Sequence, residues 1–259
     1  AAIDSYQQAL KIKPDYAEAY CNMGKALQKK GEIEAAIDSF KKALKIKPDY
    51  ADVYNNLGNA LKGKGDLEGA IDSFKKALKI KPDYADIYNN MGIALKDKGD
   101  LDGAIDSFKK ALKIKPDYAD VYNNMGIALK DLGDIEAAID SYKQAIKIKS
   151  HYAEAFSNMG LALHKKGDVE AAIDSYQQAL KINPDYVNAY NNMGAALAET
   201  VFNKPNSGLM EIILLLLDQR TTCRPNNIAR AAISLLKLEP SMKELLEKHS
   251  LGTLRQSLQ

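Results

Sequence analysis

The sequence predicts an all-α solenoid of stacked helix-turn-helix units, and three observations predict it. The ten-residue word AAIDSYQQAL stands at residue 1 and again at residue 171, which is five periods of 34 residues. Pro14, Pro48, Pro82 and Pro116 keep the same spacing; Ser150 takes the next slot and Pro184 resumes the series. Within each period, apolar residues recur at helical spacing in two runs parted by a glycine. A fixed period of about 20–50 residues signifies stacked units rather than one folded core.

Positions within a period are numbered so that Tyr20 is position 4 and Pro48 is position 32. Full copies are then 17–50, 51–84, 85–118, 119–152 and 153–186. Residues 1–16 are the second half of a preceding copy, and 187–199 the first half of a following one. The second copy carries Tyr54, Leu57, Gly58, Leu61, Ala70, Phe74, Ala77 and Pro82. These match the pattern W-x2-L-G-x2-Y…A-x3-F…P, with Tyr54 for the Trp. Over residues 1–199 the chain therefore resembles the tetratricopeptide repeat family. The resemblance implies a right-handed superhelical solenoid whose concave groove binds peptides or proteins.

The first helix of each copy starts at "PDYAEAY" or "PDYADVY". Asp49 is expected to cap it and Asp52, three residues on, to answer in a variant of the capping box. Pro48 cannot extend the helix before it. The second helix starts after the glycine at position 15, as in "KGDLEGAIDSF", where Asp66 caps and Glu68 favours the positive helix end. Position 8 is glycine in every copy: Gly24, Gly58, Gly92, Gly126, Gly160 and Gly194. A mid-helix glycine costs about 1 kcal/mol against alanine, so close approach of a neighbouring helix is expected there. Residues 1–13 lack their partner first helix, which predicts partial exposure of Ile3, Tyr6, Leu10 and Ile12 and homo-oligomerisation through this open half-repeat.

On the first helix, positions 4, 7, 8 and 11 cluster on one side and positions 2, 6, 9 and 13 on the other. The resemblance places the second set in the groove. Position 6 is Asn22, Asn56, Asn90, Asn124, Asn158 and Asn192. An amide offers two donors and an acceptor, so a row of them suits a peptide backbone of any sequence. The row resembles the asparagine ladder of the O-linked N-acetylglucosamine transferase repeat array; a second reading is hydrogen bonding between helices. Position 2 is acidic in five copies (Glu18, Asp52, Asp86, Asp120, Glu154), which helix capping also explains. Position 9 runs Lys25, Asn59, Ile93, Ile127, Leu161, Ala195. Its apolar members are expected to touch a ligand, or else an adjacent repeat or the tail. Family members that hold a C-terminal carboxylate place Lys at positions 2 and 5 and Arg at position 6; here those places are acidic, mostly Asn, and Asn, so that clamp is missing.

Composition changes near residue 200. All 14 tyrosines precede residue 191 and all four arginines follow it. "NKPNSG" at 203–208 breaks the pattern. Three short helical stretches then follow, the first nearly all apolar, and residues 200–259 are expected to form a helical cap or connector. "IILLLL" at 212–217 is too short to cross a bilayer.

The formal net charge is +2, split about −1 for residues 1–199 and +3 for the rest, which argues against nucleic acid as partner. Cys21 and Cys223, the only cysteines, suggest no disulfide framework, and a reducing, cytoplasmic setting is the default. His151, His164 and His249 fall at unrelated positions. No phosphate loop or nucleophile motif is present. No catalytic group, metal or cofactor is therefore expected. The chain opens inside a repeat without Met and reads as a piece of a longer protein. The expected function is a scaffold that binds extended polypeptide. Two alternatives stand beside it: the substrate-targeting array of a larger enzyme with a downstream transferase-type domain, and a self-association module.

Overall fold

The structure is a computed structural model that describes residues 2–198. The expected cap at 200–259, and the boundary before it, lie outside the described residues. Twelve helices follow one another, with no strand among the described residues: α1 (Ala2–Ile12), α2 (Ala17–Lys30), α3 (Ile33–Ile46), α4 (Ala51–Lys64), α5 (Leu67–Ile80), α6 (Ala85–Lys98), α7 (Leu101–Ile114), α8 (Ala119–Leu132), α9 (Ile135–Ile148), α10 (Ala153–Lys166), α11 (Val169–Ile182) and α12 (Val187–Ala198). They fall into two compact units divided between Gly133 and Asp134. The first unit holds α1–α8 and the second α9–α12.

In the first unit each helix packs on the next, and the first helices of successive copies (α2, α4, α6, α8) also touch one another. In the second unit α9, α10, α11 and α12 pack consecutively, and α10 meets α12. This is the helix-pair packing of a repeat solenoid, in which stability is close to a sum of units and nearest-neighbour interfaces. The cores show it directly. Phe40 of α3 shares a buried cluster with Val53 and Leu57 of α4, and Phe74 of α5 shares one with Ile87 and Met91 of α6. Phe108 of α7 does the same with Val121 of α8. No helix pair buries its apolar face alone.

The glycine at position 8 makes this packing possible. A Cβ built on Gly58 or Gly92 would stand 2.6 Å from the ring of Phe74 or Phe108. The glycine at position 15 has a different task. Gly65 adopts φ 89° and closes α4, its N–H bonded to Lys62 O, while Asp66 N reaches Leu61 O. Such a left-handed backbone favours glycine. Asp66 then caps α5, its carboxylate accepting from Gly69 N at 2.9 Å, and Asp100 caps α7 likewise. In the first copy Glu32 stands at this place and makes no cap bond.

The starts of the first helices differ from expectation. The N-cap of α4 is Tyr50, not Asp49, and no side chain caps it; Tyr16, Tyr84, Tyr118 and Tyr152 do the same. Asp49 precedes the helix by two residues, and the Tyr50 carbonyl accepts from Val53 N and Tyr54 N. The tyrosine is fixed from outside. Lys47 Nζ lies 4.7 Å from the Tyr50 ring centre, and Lys115 lies 4.3 Å from that of Tyr118. Such cation–π contacts contribute about 0.5–1 kcal/mol at exposed sites. At the variant turn, Ser150 Oγ instead pairs with His151 Nδ1 at 3.1 Å.

In α1, Ile3, Tyr6 and Leu10 are half-buried and Ile12 is 86% exposed. The equivalent Phe40, Phe74 and Phe108 are fully buried, so α1 is open where its counterparts are covered.

Candidate functional site

The first helices are covered over a wider arc than the sequence predicts. In α6, Ala85, Ile87, Asn89, Met91, Gly92 and Ala94 are all buried, because the helix contacts its own partner, the second helix of the copy before, and the first helices on both sides. Tyr88 at position 4 is only half-buried. Of the set at positions 2, 6, 9 and 13, Asp86 and Asp97 are exposed, while Asn90 and Ile93 are half-buried, as is Leu95 at position 11.

The asparagines of the first unit are tied between copies. Asn90 Nδ2 donates to Asn55 Oδ1 at 3.0 Å, and Asn124 Nδ2 donates to Asn89 Oδ1 at 3.0 Å. Asn56 Nδ2 points at Cys21 Sγ, 3.9 Å away. Position 6 thus hands an N–H to position 5 of the preceding copy. The row is partly open, yet it also helps join the repeats, as the second reading of hydrogen bonding between helices expects. The joining bond takes one N–H of each amide. Asn56, Asn90 and Asn124 remain half-buried rather than enclosed, and Asn22 is exposed. In the second unit Asn158 and Asn192 are half-buried.

Two of the acids at position 2 bond elsewhere than at a helix start. Asp86 accepts from the Tyr118 hydroxyl at 2.7 Å, and Asp52 pairs with Lys81 at 3.3 Å. Each therefore ties the start of its copy to the turn that ends it. Burial pushes the Tyr118 phenol well above its ordinary pKa, and the bond to Asp86 adds to that. Asp86, Asp120 and Glu154 are exposed.

At position 9, Ile93, Ile127 and Leu161 are half-buried. Ile93 packs against the cluster that holds Val121 of the next copy, so part of the apolar row has an adjacent repeat as neighbour. Lys25 and Ala195 are exposed.

Position 12 was not anticipated. Lys62, Lys96 and Lys130 are half-buried one turn beyond position 9, and Lys96 and Lys130 pair with Asp97 and Asp131 at 3.1 Å. The signal was present in the sequence as a basic residue recurring every 34 positions next to an apolar one. Together these residues form a face with amides in the middle, acids at one helix end and lysines at the other. Cys21 is buried beneath it, and that burial raises its thiol pKa, which disfavours a reactive thiolate. Among the described residues no group of His, Cys, Asp and Glu could hold a metal ion, and no helix is long and apolar enough to cross a membrane.

The model of the TPR repeat matches six times, at residues 1–31, 29–65, 59–99, 94–133, 128–167 and 162–201. No curated protein matches the chain. Several solved structures share the fold. The MamA protein is 28% identical, with a TM-score of 0.59 over 65% of this chain and 92% of that one. YrrB, described as a TPR protein with an unusual peptide-binding site, is 24% identical, with a TM-score of 0.58 over 73% of this chain and 97% of its own. Pseudomonas aeruginosa pilF is 18% identical, with a TM-score of 0.63 over 90% and 97%. The last two are likenesses of fold alone. With its 34-residue period, its consecutive helix pairs and six overlapping matches that run unbroken from residue 1 to 201, the chain belongs to the TPR repeat family.

Proposed function

We propose that the chain is a protein-interaction scaffold that holds extended polypeptide on the open face of its first helices. One observation carries the reading. Asn90 and Asn124 are oriented by their bonds to Asn55 and Asn89, yet stay half-exposed, one amide per copy. Fixed amides lose little freedom on binding, and pre-organisation of that kind favours affinity. Ile93 and Ile127, three residues on, would meet apolar ligand side chains. Asp86 and Asp120 would favour basic residues weakly, since exposed ion pairs contribute only about 0–1 kcal/mol. Asn158, Leu161 and Glu154 hold the same register in the second unit.

The test is a library of random peptides of about 12 residues, which reach about 40 Å when extended. Bound peptides should share apolar residues but no strict motif. The pair Asn124→Ala and Ile127→Ser, checked for helicity, should weaken the best of them by about tenfold, two lost contacts of about 0.5–1.5 kcal/mol each. A parent that retains no peptide, or a variant that binds equally well, overturns the reading.

A second reading rests on α1. With Ile12 86% exposed and Tyr6 half-buried, the 259-residue chain should associate with a second copy through this helix. Light scattering across a concentration series tests it. A strict monomer at every concentration, or association unchanged by Tyr6→Ser with Leu10→Ser, refutes it.

A further inference from the structure

The second helices of the first three full copies present a charge pattern that the net charge conceals. They read "IEAAIDSFKKALKI", "LEGAIDSFKKALKI" and "LDGAIDSFKKALKI" in α3, α5 and α7. The acids Glu34, Asp38, Glu68, Asp72, Asp102 and Asp106 occupy their first halves. The lysines 41, 42 and 45, 75, 76 and 79, and 109, 110 and 113 occupy their second halves, and all are exposed. Between one second helix and the next, the chain reverses direction twice. The three helices therefore run the same way, and their lysines add up to a basic band along one end. Lysine is favoured at a helix C-terminus by the backbone dipole, but that accounts for one or two per helix, not for three and another at the C-cap.

Some of these charges are already used. Lys76 pairs with Asp72 at 2.8 Å and Lys110 with Asp106 at 2.7 Å. Lys47, Lys81 and Lys115 lie over the tyrosines of the turns. Lys41, Lys45, Lys75, Lys79, Lys109 and Lys113 form no ion pair with the described residues. Beside them stands an apolar row. Ile46, Ile80 and Ile114 are 38%, 36% and 37% exposed, each four residues after Lys42, Lys76 or Lys110 and so adjacent to it on the helix surface. Single exposed isoleucines are ordinary. Three in register, each set among lysines, make a patterned surface.

We infer that the basic, isoleucine-striped band on α3, α5 and α7 docks an acidic polypeptide segment whose carboxylates meet the free lysines and whose spaced apolar side chains cover Ile46, Ile80 and Ile114. Charge complementarity selects an anion, and the isoleucines select among anions. A nucleic acid would find no arginine or amide on the band to read its bases, and the tyrosines beside the band already lie under Lys42, Lys47, Lys81 and Lys115. A bilayer surface fits poorly, because the isoleucines are more than half covered and the exposed Asp49, Asp83 and Asp117 lie just beyond the band, where they repel phosphate. A polypeptide can place its carboxylates clear of those acids. This surface lies on different helices from the asparagine row, so it stands or falls apart from the peptide reading above.

The test uses the whole 259-residue chain and a fluorescein-labelled amphipathic peptide of glutamate and leucine, about 18 residues and 27 Å long as a helix. Anisotropy should show binding that weakens by at least about tenfold between about 50 and 300 mM salt. Replacing Lys41, Lys45, Lys75, Lys79, Lys109 and Lys113 by Gln should weaken it at least about tenfold. Ile46→Ser, Ile80→Ser and Ile114→Ser together should weaken it at least about fivefold. The smaller set Lys75→Gln, Lys79→Gln and Ile80→Ser gives the same direction if either full set unfolds. Asn90→Ala with Asn124→Ala should leave this binding unchanged. The inference is overturned if the serine variant binds as the parent does. It is equally overturned if a DNA duplex of about 20 base pairs, or vesicles of phosphatidylserine and phosphatidylcholine, bind more tightly than the peptide.

Discussion

Residues in equivalent places let one copy serve as the control for another. Position 24 is Phe40, Phe74 and Phe108 in the first three copies, and Tyr142 and Tyr176 in the last two. Tyr176 is fully buried, and its hydroxyl has no hydrogen-bond partner among the described residues. A buried donor left without a partner costs about 1–3 kcal/mol. Tyr176→Phe should therefore raise stability by about 1 kcal/mol, read as an upward shift of the urea midpoint at constant slope; a lower midpoint would mean that the hydroxyl is satisfied in solution. The opposite sign is expected at position 8. Gly58→Ala would gain about 1 kcal/mol of helix propensity, yet its Cβ would meet the Phe74 ring at 2.6 Å. Overpacking of that kind costs about 1–3 kcal/mol. The variant should be less stable than the parent, and a thermal melt that shows it equal or better would refute the close-approach account of this glycine.

Elements carry the same logic between copies. Lys64 pairs with Glu34, Lys98 with Glu68 and Lys166 with Glu136, each joining the end of a first helix to the start of the preceding second helix. The series breaks once. Leu132, 47% exposed, stands where the others have lysine, and its counterpart acid is the shorter Asp102. Leu132→Lys with Asp102→Glu should restore the pair. The gain should be at most about 1 kcal/mol and should fade with salt, as exposed pairs do; a salt-independent gain would point instead to the removal of an exposed leucine. Helix identity was legible in the sequence at this scale, because proline at position 32, replaced once by Ser150, and glycine at position 15 mark the turns between helices in the full copies. Helix starts were only half legible. The Asp66 cap followed from its place one residue before an apolar run, but Asp49 looked equally suited. It lost because the turn places Tyr50 at the N-cap, held by Lys47 from outside the helix. A contact between side chains on different elements leaves no mark in local spacing.

At the scale of the molecule, the 34-residue period made the fold legible, while the candidate face was legible only in part. Positions 2 and 13 are mostly exposed, whereas positions 6 and 9 are mostly half-buried, like the tyrosines at position 4. What the sequence did not reveal is that position 6 reaches position 5 of the copy before, because one copy read alone contains only one end of that bond. The consequence is a dependence on place in the array. Asn90 and Asn124 each donate across an interface inside the first unit, whereas Asn22 is exposed. Stability in a solenoid is close to a sum of unit and interface terms, so the same substitution should cost different amounts in different copies. Asn90→Ala and Asn124→Ala should each lower stability by about 0.5–1.5 kcal/mol, the worth of one hydrogen bond. Because the two bonds share no residue, their costs should add to within about 0.5 kcal/mol. Asn22→Ala should cost close to nothing beyond helix propensity. Urea unfolding of the three single variants and the Asn90–Asn124 double variant measures all of this. Equal costs in all three copies would mean that the amides act within their own helices rather than between repeats, and the orientation on which the peptide-binding reading rests would be lost with them.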